Sequence, residues 1–167
     1  MSIKLLAVNE LANSLRPLPI VYFDLDGVIV DLVKEANKEW LNGGSEIYDD
    51  LGDLIDHSET VFKNAVPIDG AIDAMNEIIE SGLYDVYILS TPAWSNVVSW
   101  GQKREWVEKY LPKLFKKIIL THNKDLLVGH YLIDDRLKNG AENFQGVHIH
   151  FGQDGIGWPQ VKDILGV

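Results

Sequence analysis

Hydrophobic residues group into short runs, separated by stretches in which they recur every three or four positions. Runs rich in β-branched and aromatic side chains predict strands, whereas the longer spacing predicts helices. The predicted strands are Ile20 to Leu25, Val86 to Ser90, Lys117 to Thr121, His130 to Ile133 and Val147 to Phe151. The predicted helices are Gly70 to Ser81, Asn96 to Tyr110, Leu137 to Phe144 and Pro159 to Leu165. This alternation predicts an α/β fold, an open parallel sheet with helices on both faces.

Residues 31–66 depart from the alternation. No convincing strand appears there, and charged residues mix with Trp40, Tyr48 and Phe62. We expect a small helical insert that leaves after the first strand. Because ligands bind at the carboxyl ends of the strands in such sheets, the insert would act as a cap over that crevice. We expect residues 1–16 to form a helix on the core, and residues 1–167 to form one domain that includes the insert.

Composition narrows the classes of function. The chain has 167 residues, 46% of them hydrophobic, and no cysteine, which excludes a disulfide scaffold, a thiolate zinc site and a cysteine nucleophile. Acidic residues outnumber basic ones by 25 to 15, and the formal charge of −10 repels long nucleic acids and favours a small ligand. No apolar run approaches the roughly 18 residues of a membrane helix, and the first residues do not resemble a signal peptide. We therefore expect a cytoplasmic protein without a membrane partner.

Two carboxylates follow the first predicted strand. Asp24 and Asp26 stand two residues apart, and Gly27 lets the backbone turn. Like charges this close raise each other's pKa unless a cation or hydrogen-bond donors offset them, so the pattern favours a hard metal such as Mg²⁺. On its own, the pair is equally consistent with a strand-end turn in which the carboxylates cap the loop.

A second acidic pair, Asp134 and Asp135, ends the fourth predicted strand. Parallel strands place both pairs at the same edge of the sheet. Four converging carboxylates are difficult to explain as solvated surface, whereas a Mg²⁺ site uses a few oxygen ligands and tolerates further acids around it. Ser90 and Thr91 end the second strand, and Lys124 follows the third. Carboxylates, hydroxyls and a lysine together favour phosphoryl transfer with Mg²⁺.

This order of motifs resembles the haloacid dehalogenase (HAD) superfamily of phosphohydrolases, which have a Rossmann-like sheet. Within it, the stretch from Lys103 to Tyr110 is similar to the 5'(3')-deoxyribonucleotidases. The likeness covers roughly residues 21–32 and 67–137, with a weak tail at 158–165. Departures are the order Ser-Thr in the second motif, His122 where relatives often have arginine, and a short insert.

The resemblance implies a role for each motif residue. Asp24 would be the nucleophile that forms an aspartyl-phosphate, and Asp26 the general acid and base. Mg²⁺ would be held by Asp24, the backbone carbonyl of Asp26 and Asp135, while Asp134 would orient Lys124 or lie in the second shell of the metal. The residues implied to bind phosphate are Ser90, Thr91, Lys103, Lys124 and Arg136.

We therefore expect a Mg²⁺-dependent phosphatase for nucleoside monophosphates, in particular 5'(3')-deoxyribonucleotides. The alternatives are a HAD phosphatase for another small phosphate ester or an oligonucleotide end, and a non-catalytic module that binds phosphate and metal. Either a monomer or a homodimer is compatible with the sequence. Trp40, Tyr48, Phe62 and Trp94 are candidates for stacking on a base, although aromatic residues in a small insert more often form its core. His148 and His150 are expected to pack rather than bind metal.

Overall fold

A computed structural model describes residues 17–167, which are built around a five-stranded parallel sheet. Its spatial order is β3-β2-β1-β4-β5. The strands are β1 (Ile20–Phe23), β2 (Asp85–Ser90), β3 (Ile118–Leu120), β4 (Tyr131–Asp134) and β5 (Val147–His150). All five predicted strands are present, and the predicted α/β class is confirmed. The helix expected over residues 1–16 lies outside the described residues.

Within residues 17–167, six α-helices accompany the sheet: α1 (Leu32–Leu41), α2 (Leu51–His57), α3 (Val61–Asn64), α4 (Ala71–Ser81), α5 (Val97–Tyr110) and α6 (Trp158–Leu165). The helix predicted over Leu137 to Phe144 is wrong, because only a 3-10 turn at Ala141–Asn143 forms there. Asn139 and Gly140 adopt φ angles of 54° and 85°, in the left-handed region that an α-helix cannot accommodate. Among residues 17–167, no helix has the length and apolar character needed to cross a membrane.

The side chains of β1 to β4 alternate between two hydrophobic clusters, as expected for a sheet covered on both faces. Val21 and Phe23 belong to the larger cluster, which includes the apolar faces of α4, α5 and α6. Tyr22 points to the opposite face, where it packs with Ala141 and Phe144 near the 3-10 turn. The α-helical layer and the thinner 3-10 layer hold β1 buried in the centre.

The strand order places a crevice at the carboxyl end of β1. The chain leaves β1 towards β2 and β3 on one side and then crosses back to β4 and β5 on the other. Phe23, the last residue of β1, is level with Ile88 in β2 and Ile133 in β4. Ligands bind at such a switch point because the connections on either side diverge and leave a gap. The residues that follow β1, β2 and β4 therefore face one another.

The segment between β1 and α4 contains α1, α2 and α3 and no named strand. Helix α5 holds it in place through three side chains that donate to its backbone carbonyls. Asn96 Nδ2 lies 2.6 Å from the Ser58 oxygen, Gln102 Nε2 2.7 Å from the Glu59 oxygen, and the buried Trp106 Nε1 2.9 Å from the Ala65 oxygen. These bonds fix the segment beside the crevice. Its assignment as the cap of a single domain stays a prediction.

Candidate active site

The turn after β1 brings two carboxylates into the crevice. Asp24 N–H donates to the Ile133 carbonyl and extends the pairing of β1 with β4 by one residue. Beyond it, the N–H groups of residues 28, 29 and 30 converge on the Leu25 carbonyl, which closes a tight turn. Gly27 has a φ of 76°, and a Cβ there would lie 2.2 Å from Asp135 Oδ2. Glycine is therefore required both by the turn and by the approach of Asp135.

Lys124 joins two buried carboxylates. Its Nζ donates to Asp24 Oδ1 at 2.9 Å and to Asp134 Oδ2 at 2.5 Å, and the lysine side chain is 3% exposed. The lysine begins a 3-10 turn whose first N–H donates to the Asn139 carbonyl at 2.8 Å. The attraction of the two carboxylates outweighs burial and raises the pKa of Lys124, so its ammonium stays charged.

Asp134 uses both of its oxygens within the protein. Oδ2 accepts from Lys124, and Oδ1 accepts from the Arg136 N–H at 2.9 Å. Burial and the charge of Asp24 raise the pKa of Asp134, while Lys124 opposes the increase. These bonds are consistent with the predicted role of Asp134 in orienting Lys124, which stays a prediction.

Asp135 completes a cluster of carboxylates that fits a metal ion. One oxygen from each of Asp24, Asp134 and Asp135 lies within 4.8 Å of the other two. Asp135 Oδ1 is buried without a hydrogen-bond partner among residues 17–167. Burial, reinforced by the charge of Asp24, raises the pKa of Asp135 to about 6. A buried carboxylate oxygen without a donor, beside other carboxylates, matches the oxygen ligands that Mg²⁺ prefers.

Lys103 reaches the second carboxylate of the turn from helix α5. Its Nζ donates to Asp26 Oδ2 in a short contact and to Ser90 Oγ at 3.1 Å. The side chain is 2% exposed, and its ammonium lies 4.9 Å from the centre of the Phe62 ring. Burial raises the pKa of Asp26, and the positive charge of Lys103 opposes this increase. The carboxyl group is thereby tuned by a cation from a distant part of the chain.

A cleft of about 430 Å³ opens above these groups. Its floor includes Asp24, Asp26, Lys124 and Asp134, and its apolar walls include Leu32, Ile55, Phe62, Pro92 and Trp94. This volume lies within the roughly 300–1,000 Å³ typical of small-ligand sites. The structure thus combines a charged floor with apolar walls in a space suited to a small phosphate ester.

Two predicted phosphate-binding residues, Thr91 and Arg136, line the cleft, but their side chains also contact other protein groups. Thr91 lines the cleft, but its hydroxyl donates to the Thr121 carbonyl at 2.9 Å. Arg136 also lines the cleft with a largely exposed side chain, and its Nε lies 3.6 Å from Asp135 Oδ2. Their roles, like those of the other site residues, stay predictions.

The remaining candidates separate into core and cleft. Trp40 and Tyr48 pack against the hydrophobic core, and Trp94 lines the cleft. Phe62 does both, because it is buried in the core and also lines the cleft. His150 Nε2 lies 3.0 Å from the Asp135 carbonyl and donates to it. His148 stacks on His150, and burial lowers the pKa of His148. His150 therefore binds the backbone of Asp135, and His148 packs against His150.

The sequence reasoning missed His122 as a partner of the aromatic residues. Its ring lies in the cleft lining, 5.4 Å from the Trp94 ring centre and 5.9 Å from that of Trp100. No local pattern could have indicated the contacts of His122 with Trp94 and Trp100, because His122 follows β3 whereas both tryptophans follow β2. Only the register of β2 with β3, which pairs Ser90 with Leu120, places the two loops side by side.

Comparison of solved structures shows the fold. The chain superposes on a hydrolase from Streptococcus pneumoniae TIGR4 with a TM-score of 0.57 and 11% identity, covering 91% of this chain and 100% of the other. A Bacillus subtilis "putative HAD-hydrolase", solved bound to magnesium, gives a TM-score of 0.56 and 12% identity over the same shares. The fold is therefore that of the HAD hydrolases.

Sequence comparison shows the family. A Vibrio phage KVP40 protein named "Putative 5'(3')-deoxyribonucleotidase" is 45% identical over 139 residues, which are 81% of this chain and 77% of the phage protein. The human "5'(3')-deoxyribonucleotidase, cytosolic type" is 37% identical over 76 residues, which are 45% of this chain and 38% of the human protein. Residues 45–155 match the family model described as "5' nucleotidase, deoxy (Pyrimidine), cytosolic type C protein". With its fold, its clustered carboxylates and these matches taken together, the chain belongs to the deoxy (pyrimidine) cytosolic type C 5' nucleotidase family.

Proposed function

We propose that this protein is a Mg²⁺-dependent phosphatase that hydrolyses nucleoside monophosphates, with 5'(3')-deoxyribonucleotides as its substrate class. The observation that carries the proposal is a pair of ion pairs beyond the end of β1. The buried Lys124 binds Asp24, and the buried Lys103 binds Asp26. The names of the phage and human relatives support the substrate class. The human relative also supports the expected cytoplasmic location.

Asp24, Asp135 and the backbone carbonyl of Asp26 are the proposed ligands of Mg²⁺. Asp135 Oδ1 provides a ligand atom that has no hydrogen-bond partner among residues 17–167. When bound, the ion supplies positive charge that stabilises the phosphate oxygens and lets an anionic nucleophile approach an anionic ester. Both oxygens of Asp134 are occupied, so this carboxylate contributes by holding Lys124.

In the first step, an oxygen of Asp24 attacks the phosphorus and the bond from phosphorus to the ester oxygen breaks. Asp26 transfers its proton to that oxygen, so the leaving group departs as a neutral alcohol. The phosphoryl group is then an aspartyl-phosphate on Asp24. The raised pKa of Asp26 favours this chemistry, because a buried carboxyl group retains its proton to a higher pH than an exposed one.

In the second step, Asp26 accepts a proton from water as the water oxygen attacks phosphorus. The bond between phosphorus and the Asp24 oxygen breaks, which releases inorganic phosphate and restores both carboxyl groups. One carboxyl group can serve as acid and then base because the first step leaves it ionised. The contact of Lys103 with Asp26 stabilises the ionised form between the two steps.

We assign the binding of the phosphoryl oxygens to two lysines and a hydroxyl. Lys124 adjoins Asp24, while Lys103 binds the Ser90 hydroxyl as well as Asp26. A phosphoryl group carries most of its charge on the equatorial oxygens in the transition state, so fixed donors around it account for much of the rate enhancement. The burial of both lysines keeps their ammonium groups fixed in position.

Phosphate release from a panel of esters tests the proposal. The panel contains deoxyribo- and ribonucleoside monophosphates and common sugar phosphates, each with Mg²⁺ and with a chelator. We expect Mg²⁺-dependent turnover that is fastest with deoxyribonucleotides and is abolished in Asp24→Asn. The matched control is Asp49→Asn, which removes the same charge from an exposed position on the insert.

Each other outcome identifies the part of the proposal that fails. Equal turnover of sugar phosphates and nucleotides would retain the phosphatase and refute the substrate class. Full activity in Asp24→Asn would refute the covalent mechanism. Phosphate binding without turnover of any ester would refute the enzyme and favour the non-catalytic module.

A further inference from the structure

An aromatic cluster forms one side of the cleft, from side chains to which no role in the phosphate chemistry has been assigned. Trp94 and His122 both line the cleft, and their rings meet edge to face with an interplanar angle of 80°. Trp100 contacts the same histidine, tilted by 42°, and does not line the cleft. His122 is therefore held between two indoles, one at the cleft and one beside it.

The cluster follows directly from the strands that form the phosphate site. Trp94 lies four residues after Ser90, and His122 lies two residues after Leu120. Ser90 and Leu120 are level in the sheet, so both aromatic side chains arise at the edge where the Ser90 hydroxyl meets Lys103. A ligand that binds near Ser90 through its phosphate can therefore place the rest of the molecule along the wall that these rings form.

Packing within residues 17–167 does not account for Trp94. Trp94 is 78% exposed, although tryptophan is among the residues whose burial stabilises a protein most. In an edge-to-face pair, the ring that presents its edge keeps both faces free of the other ring. Trp94 and His122 thus offer aromatic surface inside a cleft whose floor is charged.

We propose that Trp94 and His122 determine specificity by stacking on the planar base of the leaving group, with Trp100 as a positioning residue that orients His122. This inference rests on the proposed function, since the base belongs to the ester that the cleft would hydrolyse. Aromatic side chains stack on every nucleobase through its π-face, whereas an aliphatic sugar phosphate has no such face. The cluster thereby favours nucleotides over esters of similar size that lack a base.

Matched substrates with and without a base isolate this effect. The ratio of kcat/KM for thymidine 5'-monophosphate to kcat/KM for 2-deoxyribose 5-phosphate is measured in the wild type, Trp94→Ala, Trp94→Phe and His122→Ala. We expect Trp94→Ala to lower this ratio roughly 5- to 100-fold, the range typical of losing one stacked base. Trp94→Phe should recover most of it, because a phenyl ring still stacks. Val97→Ala, at the first residue of α5 and 82% exposed, is the control expected to leave the ratio unchanged.

Calorimetry in the Asp24→Asn background separates this inference from the proposed function. If the wild type hydrolyses neither ester, the proposed function fails, and binding of the two esters to Asp24→Asn still tests the stacking. Tighter binding of the nucleotide that is lost in Asp24→Asn with Trp94→Ala supports the inference. Equal affinity for the two esters, no binding of either, or an unchanged kcat/KM ratio in Trp94→Ala overturns it.

Discussion

Asp135→Asn should stabilise the protein in the absence of divalent metal. The Asp135 carboxylate is buried enough to leave Oδ1 without a hydrogen-bond partner among the described residues. It also lies beside the carboxylates of Asp24 and Asp134. Asparagine has nearly the same shape but no charge, so the substitution removes the electrostatic cost and preserves the packing around Gly27.

The size of the effect follows from the pKa of Asp135. Folding raises that pKa from 3.8 to about 6, first through burial and then through the charge of Asp24. Such a difference costs about 3 kcal/mol of folding free energy when the group is ionised in both states. Because 24% of the side chain is exposed, solvent screening reduces the expected gain for Asp135→Asn to about 1–2 kcal/mol.

The gain should depend on pH with a defined sign. Above pH 6, Asp135 is ionised in both the folded and the unfolded chain, so the full cost is present in the wild type. Below pH 6 the folded protein takes up a proton that the unfolded chain does not yet hold, and the cost declines. Below 3.8 both states are protonated and the cost disappears. The advantage of the variant is therefore complete at pH 7–8 and lost as the pH falls towards 4.

Urea unfolding with a chelator, at several pH values between 4 and 8, measures this advantage. Adding Mg²⁺ should reverse the order of stability, because the ion stabilises the wild type by binding its folded state and binds Asp135→Asn weakly. Glu59→Gln, which removes one charge from an exposed residue of the insert, is the control. The reasoning is refuted if the metal-free variant is not more stable at pH 8, or if its gain is the same at pH 4.

Three further substitutions test other contacts of the site. Gly27→Ala should abolish Mg²⁺-dependent activity, measured by phosphate release, because its Cβ would displace the Asp135 carboxylate and its φ of 76° disfavours alanine. Trp106→Phe should lower the free energy of urea unfolding by roughly 1–3 kcal/mol, because it leaves the buried Ala65 carbonyl without its donor. Lys103→Met should lower kcat roughly 100- to 1,000-fold and move the alkaline limb of the pH–rate profile to higher pH, because this cation lowers the pKa of the general acid, Asp26. A limb that moves to lower pH would contradict that assignment.

The sheet and its edge could be predicted because the information is local. Each strand is a short apolar run, and a parallel arrangement places all the strand ends on one side. Asp24 and Asp134 follow or end β1 and β4, so their convergence required only the right strand count and direction. The buried bonds of Lys124 to both carboxylates agree with that prediction.

Two features could not be obtained from the sequence in the same way. The spacing of hydrophobic residues in 137–144 predicts an α-helix. Instead, Asn139 and Gly140 adopt left-handed conformations beside Asp125. The spacing of nearby residues carries no information about that contact. The contact of Lys103 with Asp26 joins residues 77 positions apart. The family resemblance implied that Lys103 lies near the phosphate. Its pairing with the carboxyl group of Asp26 depends on how α5 lies across the insert.

The charges of the site explain why a divalent ion suits it. Four carboxylates, those of Asp24, Asp26, Asp134 and Asp135, face the ammonium groups of the buried lysines 103 and 124, which leaves two negative charges uncompensated. Arg136 is 58% exposed and largely screened by solvent. Without metal, a proton held on Asp135 up to about pH 6 removes one of these two charges. A doubly charged cation offsets both of them. Burial and the charge of Asp24 together raise the pKa of Asp135, and its Oδ1 has no hydrogen-bond partner among the described residues. A Mg²⁺ ion bound at this oxygen should lower that pKa again.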